Sequence, residues 1–145
     1  LICYFYFFLT FDIFLFGGAV PDASFYEEFA VEWLAAWNTH DLERILALYE
    51  ESFEFSSPVL ARVNPSSGGK LVGKQAARVY WSKGLAARPD LHFEHIVSLH
   101  GVQSMVIHYK GLGGKLCAEF FAFSGNGKIA ISHAHEYTAK AALEG

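Results

Sequence analysis

Between Leu116 and Tyr137 the chain reads Leu-Cys-Ala-Glu-Phe-Phe-Ala-Phe-Ser-Gly-Asn-Gly-Lys-Ile-Ala-Ile-Ser-His-Ala-His-Glu-Tyr, two partly alternating apolar runs on either side of Ser124-Gly125-Asn126-Gly127. Asn126-Gly127 accepts the positive φ angles that a tight turn demands, so the stretch is predicted to be a β-hairpin. On a strand alternate side chains share a face, which sets Cys117, Glu119, Phe121 and Phe123 on one side and Ala118, Phe120 and Ala122 on the other. Both sides are apolar, so the lone carboxylate Glu119 meets apolar surroundings whichever way the strand lies. A carboxyl group there is paired, exposed at a pocket mouth, or held neutral by a raised pKa.

The elements before the hairpin alternate between two periods. Ser24-Phe-Tyr-Glu27 reads as a capping box opening a helix that carries Phe25, Phe29, Trp33 and Trp37 on one face. Asn38-Thr-His-Asp41 breaks it, and Asp41 caps a second, short helix with Leu42, Ile45, Leu46 and Tyr49 toward the core, closed by Glu50-Glu51-Ser52. Phe53 to Ser57 reads as a strand that Pro58 ends, and Asn64 to Gly69 as a loop. A third helix spans Lys74 to Ala87, ended by Pro89. Strands over Leu91 to Leu99, Gln103 to Tyr109, Lys115 to Ser124 and Lys128 to Thr138 are separated by short glycine-bearing turns, so they are predicted to pair antiparallel in sequence order. This order predicts an α+β fold, a cone-shaped curved antiparallel sheet wrapped around three N-terminal helices. The inside of such a cone is a natural small-molecule site.

Charge and composition exclude several functions. The net charge is −4 and the 11 Lys and Arg are scattered, so the basic stripe that nucleic acid requires is missing. Cys3 and Cys117 form no CxxC motif, and no glycine loop of the phosphate-cradling type is present. Leu1 to Phe16 is almost wholly apolar but contains Asp12, and is shorter than the roughly 20 residues of a membrane span. No Lys or Arg precedes Arg44, whereas a secretory signal opens on a basic segment. Residues 1–20 are therefore expected to be a truncated signal peptide or a non-native extension, and residues 21–145 one domain. The chain would be secreted or periplasmic in the first case and cytoplasmic in the second.

From about Ala23 to Tyr137 the order of elements and three strings resemble the nuclear transport factor two-like superfamily, in its SnoaL-like and ketosteroid-isomerase-like branch. The strings are Trp37-Asn-Thr-His-Asp-Leu-Glu-Arg-Ile-Leu-Ala-Leu-Tyr49, Phe55-Ser-Ser-Pro58 and Phe121-Ala-Phe-Ser-Gly-Asn-Gly-Lys-Ile129. The resemblance implies a cystatin-like α+β barrel. The isomerase pattern places a catalytic tyrosine where this chain has Trp33, a basic aspartate where it has Ser57, and a protonated acid where it has Glu119. Serine without an activating partner cannot shuttle a carbon-bound proton, so that isomerase mechanism is excluded. SnoaL-like cyclases resemble the chain better, with an acidic acid/base residue on this late strand and a histidine on the neighbouring one. The resemblance thus makes Glu119 and His108 the catalytic candidates.

The same resemblance makes Trp33, Tyr80 and Trp81 walls of a pocket for a hydrophobic small molecule, with Ser57, Tyr49 and Phe121 as further lining candidates and no cofactor. For each aromatic residue, ordinary core packing is the alternative. His133 and His135 share a strand face, as a metal pair would, but the family pattern turns that face away from the cavity, and no metal site is expected. The outer face, with Phe120, Ala122, His133, His135 and Tyr137, is then a candidate homodimer interface. A non-catalytic binding or association domain is the alternative function.

Overall fold

The computed structural model describes residues 20–138; apart from Val20, the expected leader lies outside the described residues. Helix α1 (Ala23–Asn38) is capped by Asp22 rather than Ser24. The Asp22 carboxylate accepts from the Phe25 amide at 3.1 Å, and the Ser24 hydroxyl donates to that carboxylate at 2.6 Å. Asp41 caps α2 (Leu42–Leu46) as expected, accepting from the Arg44 amide at 3.0 Å.

Tyr49 is not on α2. It opens strand β1 (Tyr49–Ser56), which also takes in Glu50, Glu51 and Ser52. Glu51 and Ser52 point to solvent from that strand, so their polarity disguised it as a helix end. Pro58 does end β1, but it also starts an unexpected helix, α3 (Pro58–Val63), at the first-turn position where proline lacks nothing the helix needs. Ser57 caps α3 by accepting from the amides of Val59 and Leu60. Strand β2 (Lys70–Val72), too short for a sequence period to reveal, follows, and then α4 (Lys74–Ala87).

Strands β3 (Glu94–His100), β4 (Ser104–Lys110), β5 (Leu116–Phe123) and β6 (Ile129–Glu136) form the expected antiparallel meander. The sheet is mixed, however: β1 joins β6 in parallel, giving the order β2-β1-β6-β5-β4-β3. It curls around the helices without closing, because β2 and β3 are both edges. In the β5–β6 turn the Gly127 amide donates to the Ser124 carbonyl at 3.0 Å, and Gly127, with φ 79°, is the residue in the left-handed region. Asn126 keeps a negative φ.

Between Phe123↔Ile129 and Ala122↔Ile131, β6 carries one residue more than β5, Ala130. This bulge exchanges the faces of β6 from that point on.

Helix and strand periods match across the core. Residues four apart on α1 rise about 6 Å, close to the roughly 6.7 Å between alternate strand residues. Phe29 therefore meets Phe121 and Phe123 at ring distances of 5.2 and 4.8 Å, and Trp33 meets Phe121 at 5.3 Å. The polar ends of Asn38 bond the Phe93 amide and carbonyl at 2.7 and 3.0 Å, fastening the end of α1 to the segment leading into β3.

Candidate functional site

Alternation along β5 turns Glu119 inward with Phe121 and Phe123, and Glu119 is only 4% exposed. The β6 bulge turns Ser132 toward it. The Ser132 hydroxyl, fully buried, donates to Glu119 Oε1 at 2.5 Å. Burial pushes the Glu119 carboxyl up to about 8, against the opposing pull of the Ser132 hydrogen bond and the Tyr109 hydroxyl. Below that pH Glu119 is a neutral acid, able to donate a proton as well as accept hydrogen bonds.

Tyr49 continues the polar floor. Its hydroxyl accepts from Trp33 Nε1 at 3.2 Å. Burial, with Glu119 adding to it, holds the Tyr49 and Tyr109 phenols far above the ordinary tyrosine value, so both remain protonated donors. Burial raises Tyr80 as well, while Ser57 and Arg62 oppose it.

Above this floor lies a cavity of about 250 Å³. Its walls are mostly aromatic: Trp33 and Trp37 from α1, Tyr80 and Trp81 from α4, Phe55 from β1, and Phe93. Trp37 Nε1 is buried without a hydrogen-bond acceptor among the described residues. At the rim Glu136 takes Arg62 in a two-point ion pair, at 2.8 and 3.0 Å, and Lys115 at 3.0 Å.

A family profile described as the SnoaL-like domain matches residues 30–132. The chain belongs to the SnoaL-like family. A SnoaL-like protein of unknown function from Burkholderia thailandensis is 40% identical over 81% of this chain and 99% of its own, with a TM-score of 0.77. Two further structures share the fold alone. The epoxide hydrolase/cyclase-like enzyme SalBIII, of pyran ring formation in the polyether salinomycin, has a TM-score of 0.65 at 16% identity, over 81% of this chain and 94% of its own. A protein of unknown function with a cystatin-like fold from Methylobium petroleophilum has a TM-score of 0.68 at 12% identity, over 83% and 81%. No curated protein matches the chain.

Within this SnoaL-like domain, Trp33, Tyr49, Ser57, Tyr80 and Trp81 all line the cavity that Glu119 floors. Phe121 does not; it is fully buried beneath it, against Phe29 and Trp33. His108 is not brought to Glu119 either. It sits opposite Ala118, on the outer face of the sheet, and the inward positions of β4 belong to Ile107 and Tyr109. Tyr109 and Ser132 are the functional candidates that sequence reasoning passed over. Tyr109 is adjacent to His108, and strand parity across Gly111–Gly114 decides between them. Ser132 had no sequence signal, since the bulge that turns it inward leaves no glycine mark.

His133 lies outside, stacked on Phe120 at 5.9 Å, with the Ser56 hydroxyl 2.7 Å from its Nδ1. Among the described residues no three His, Cys, Asp or Glu side chains converge as a metal site, and no helix is long and apolar enough to cross a membrane.

Proposed function

We propose that this SnoaL-like domain binds a hydrophobic cyclic small molecule in the aromatic cavity and that Glu119 moves a proton on it, in chemistry of the cyclase or isomerase type. The observation that carries this reading is a buried carboxyl group at the floor of an apolar cavity, with the Ser132 hydroxyl on one oxygen and burial favouring its neutral form. As an acid, Glu119 gives its proton to an oxygen of the substrate, whether a carbonyl or an epoxide. The carboxylate that remains then takes a proton from the carbon or hydroxyl that completes the reaction, so the enzyme returns to its starting form. A group titrating near neutrality suits both halves of such a cycle. SalBIII, described as epoxide hydrolase/cyclase-like, supports the reaction class by its fold. His108 has no part in the reading, because it faces away from Glu119.

A thermal-shift panel of steroids, aromatic polyketides and terpenoid epoxides identifies the ligand class, since binding to the native state alone raises the melting temperature. Turnover of the compounds that bind is then compared between the wild type and Glu119→Gln. Loss of turnover with unchanged ligand binding is expected; a fully active variant removes the acid/base role.

Ser57 favours a second reading, a binding or homodimeric association domain without catalysis. Its oxygen caps α3 and cannot also act as a base, leaving Glu119 as the single buried carboxyl among the described residues. A tightly bound ligand that no condition converts would select this alternative.

A further inference from the structure

The rim of the cavity differs in charge from the rest of the molecule. Arg62 on α3 and Lys115 before β5 share one carboxylate, Glu136, so two positive charges meet a single negative one. Lys115 and Glu136 both line the cavity, and so does Arg88, whose guanidinium is held by Asp90 at 2.9 and 2.8 Å. Three cations and two anions therefore surround the mouth, in a chain whose net charge is −4. Glu136 is mostly enclosed, its side chain 16% exposed, whereas the side chains of Lys115 and Arg88 are 43% and 48% exposed. Asp90, at 64%, is as open to solvent as the Arg88 it holds, so the cation that reaches solvent over the opening without an equally exposed anion is Lys115.

We propose that the ligand is an amphiphile, with its apolar body in the aromatic cavity and one carboxylate at the mouth against Lys115, Arg88 being the second cation of the rim. This inference rests on the reading of the cavity as a small-molecule site and adds the chemical class and orientation of what it takes. A single carboxylate would complete a square of two cations and two anions around Lys115. An ammonium has three donors, and Glu136 occupies one of them. Exposed charges further away than the Debye length, about 10 Å at 0.1 M salt, are largely screened, so the net charge of the whole chain opposes an anion at the mouth only weakly. Orientation follows as well: anchoring the charged end at the rim sends the apolar end toward Glu119.

All three tryptophans of the chain line the cavity, so intrinsic fluorescence reports occupancy. The test titrates the full chain with 4-cyclohexylbutyrate and with its methyl ester, neither of which absorbs with tryptophan. For the carboxylate, Lys115→Gln is expected to weaken binding by about threefold, the size of a solvent-exposed ion pair. Raising salt to about 0.5 M should do the same in the wild type. Ester binding should change in neither comparison. Carboxylate affinity that is independent of salt and unaltered in both Lys115→Gln and Arg88→Gln overturns the inference while leaving the cavity reading standing. Failure of both compounds to alter fluorescence overturns the two together. If Lys115→Gln does not fold, the salt dependence of the wild type decides alone.

Discussion

Replacing Glu119 by glutamine separates the ionisation of this carboxyl from its shape. Glutamine keeps an oxygen for the Ser132 hydroxyl and mimics the neutral acid, but it cannot ionise. In the folded protein burial pushes the Glu119 carboxyl up to about 8, from an ordinary value of 4.5. Between those limits the native state holds a proton that the unfolded chain has released, so wild-type stability falls as the pH rises. The slope is ~1.4 kcal/mol per pH unit, and the loss over the whole interval is about 5 kcal/mol. Stability from this group is complete below the unfolded value and lost as the pH passes 8.

Urea denaturation followed by tryptophan fluorescence at pH 6, 7, 8 and 9 measures the effect. From pH 6 to 9 the wild type should lose ~3 kcal/mol relative to Glu119→Gln, with the change levelling off above the native titration. Parallel curves for the two proteins would refute the argument, because they would show a carboxyl that titrates alike in both states. That result would also leave Glu119 ionised at neutral pH and unable to act as the acid.

Two further expectations follow from the hydrogen bonds. Ser132→Ala removes a bond that holds the Glu119 titration down, so the pH at which stability is lost should move upward, while a threonine variant that keeps the hydroxyl should restore it; an unmoved profile would disconnect Ser132 from the carboxyl. Asp22→Ala should cost about 1 kcal/mol of unfolding free energy as the loss of the α1 cap, and more than Ser24→Ala, whose hydroxyl bonds only the capping carboxylate; the reverse order in urea denaturation would restore Ser24 as the cap.

Much of the fold was legible in local patterns. The Phe25, Phe29, Trp33 and Trp37 spacing, the Lys74–Ala87 helix and strands β4 to β6 survive in the structure because each turns an apolar face to the core, whereas β3, at the sheet edge, is there although its side chains are largely exposed. Where side chains were exposed or elements were short, the pattern failed. Glu51 and Ser52 hid half of β1, and the three residues of β2 carry no period. At position 57 the serine before proline marks the end of a strand and lines the cavity, but the same pair also reads as a helix cap and a first-turn proline, which is the signal for α3.

The interior placement of Glu119 required nothing beyond the alternation of β5, since any strand with Phe121 and Phe123 in the core carries Glu119 inward with them. Its partners were decided by pairing between strands. Without the extra residue Ala130, counting outward from the Ser124–Lys128 turn would set His133 opposite Glu119 and turn Ser132 outward. The bulge reverses this, placing Ala134 opposite Glu119 and Ser132 against its carboxyl. The same dependence on register gives the neighbouring strand's inward place to Tyr109 and not His108. Alternation within a strand is a property of the chain alone, but the face of one strand relative to the next depends on every residue in the connection between them, and a single insertion inverts it.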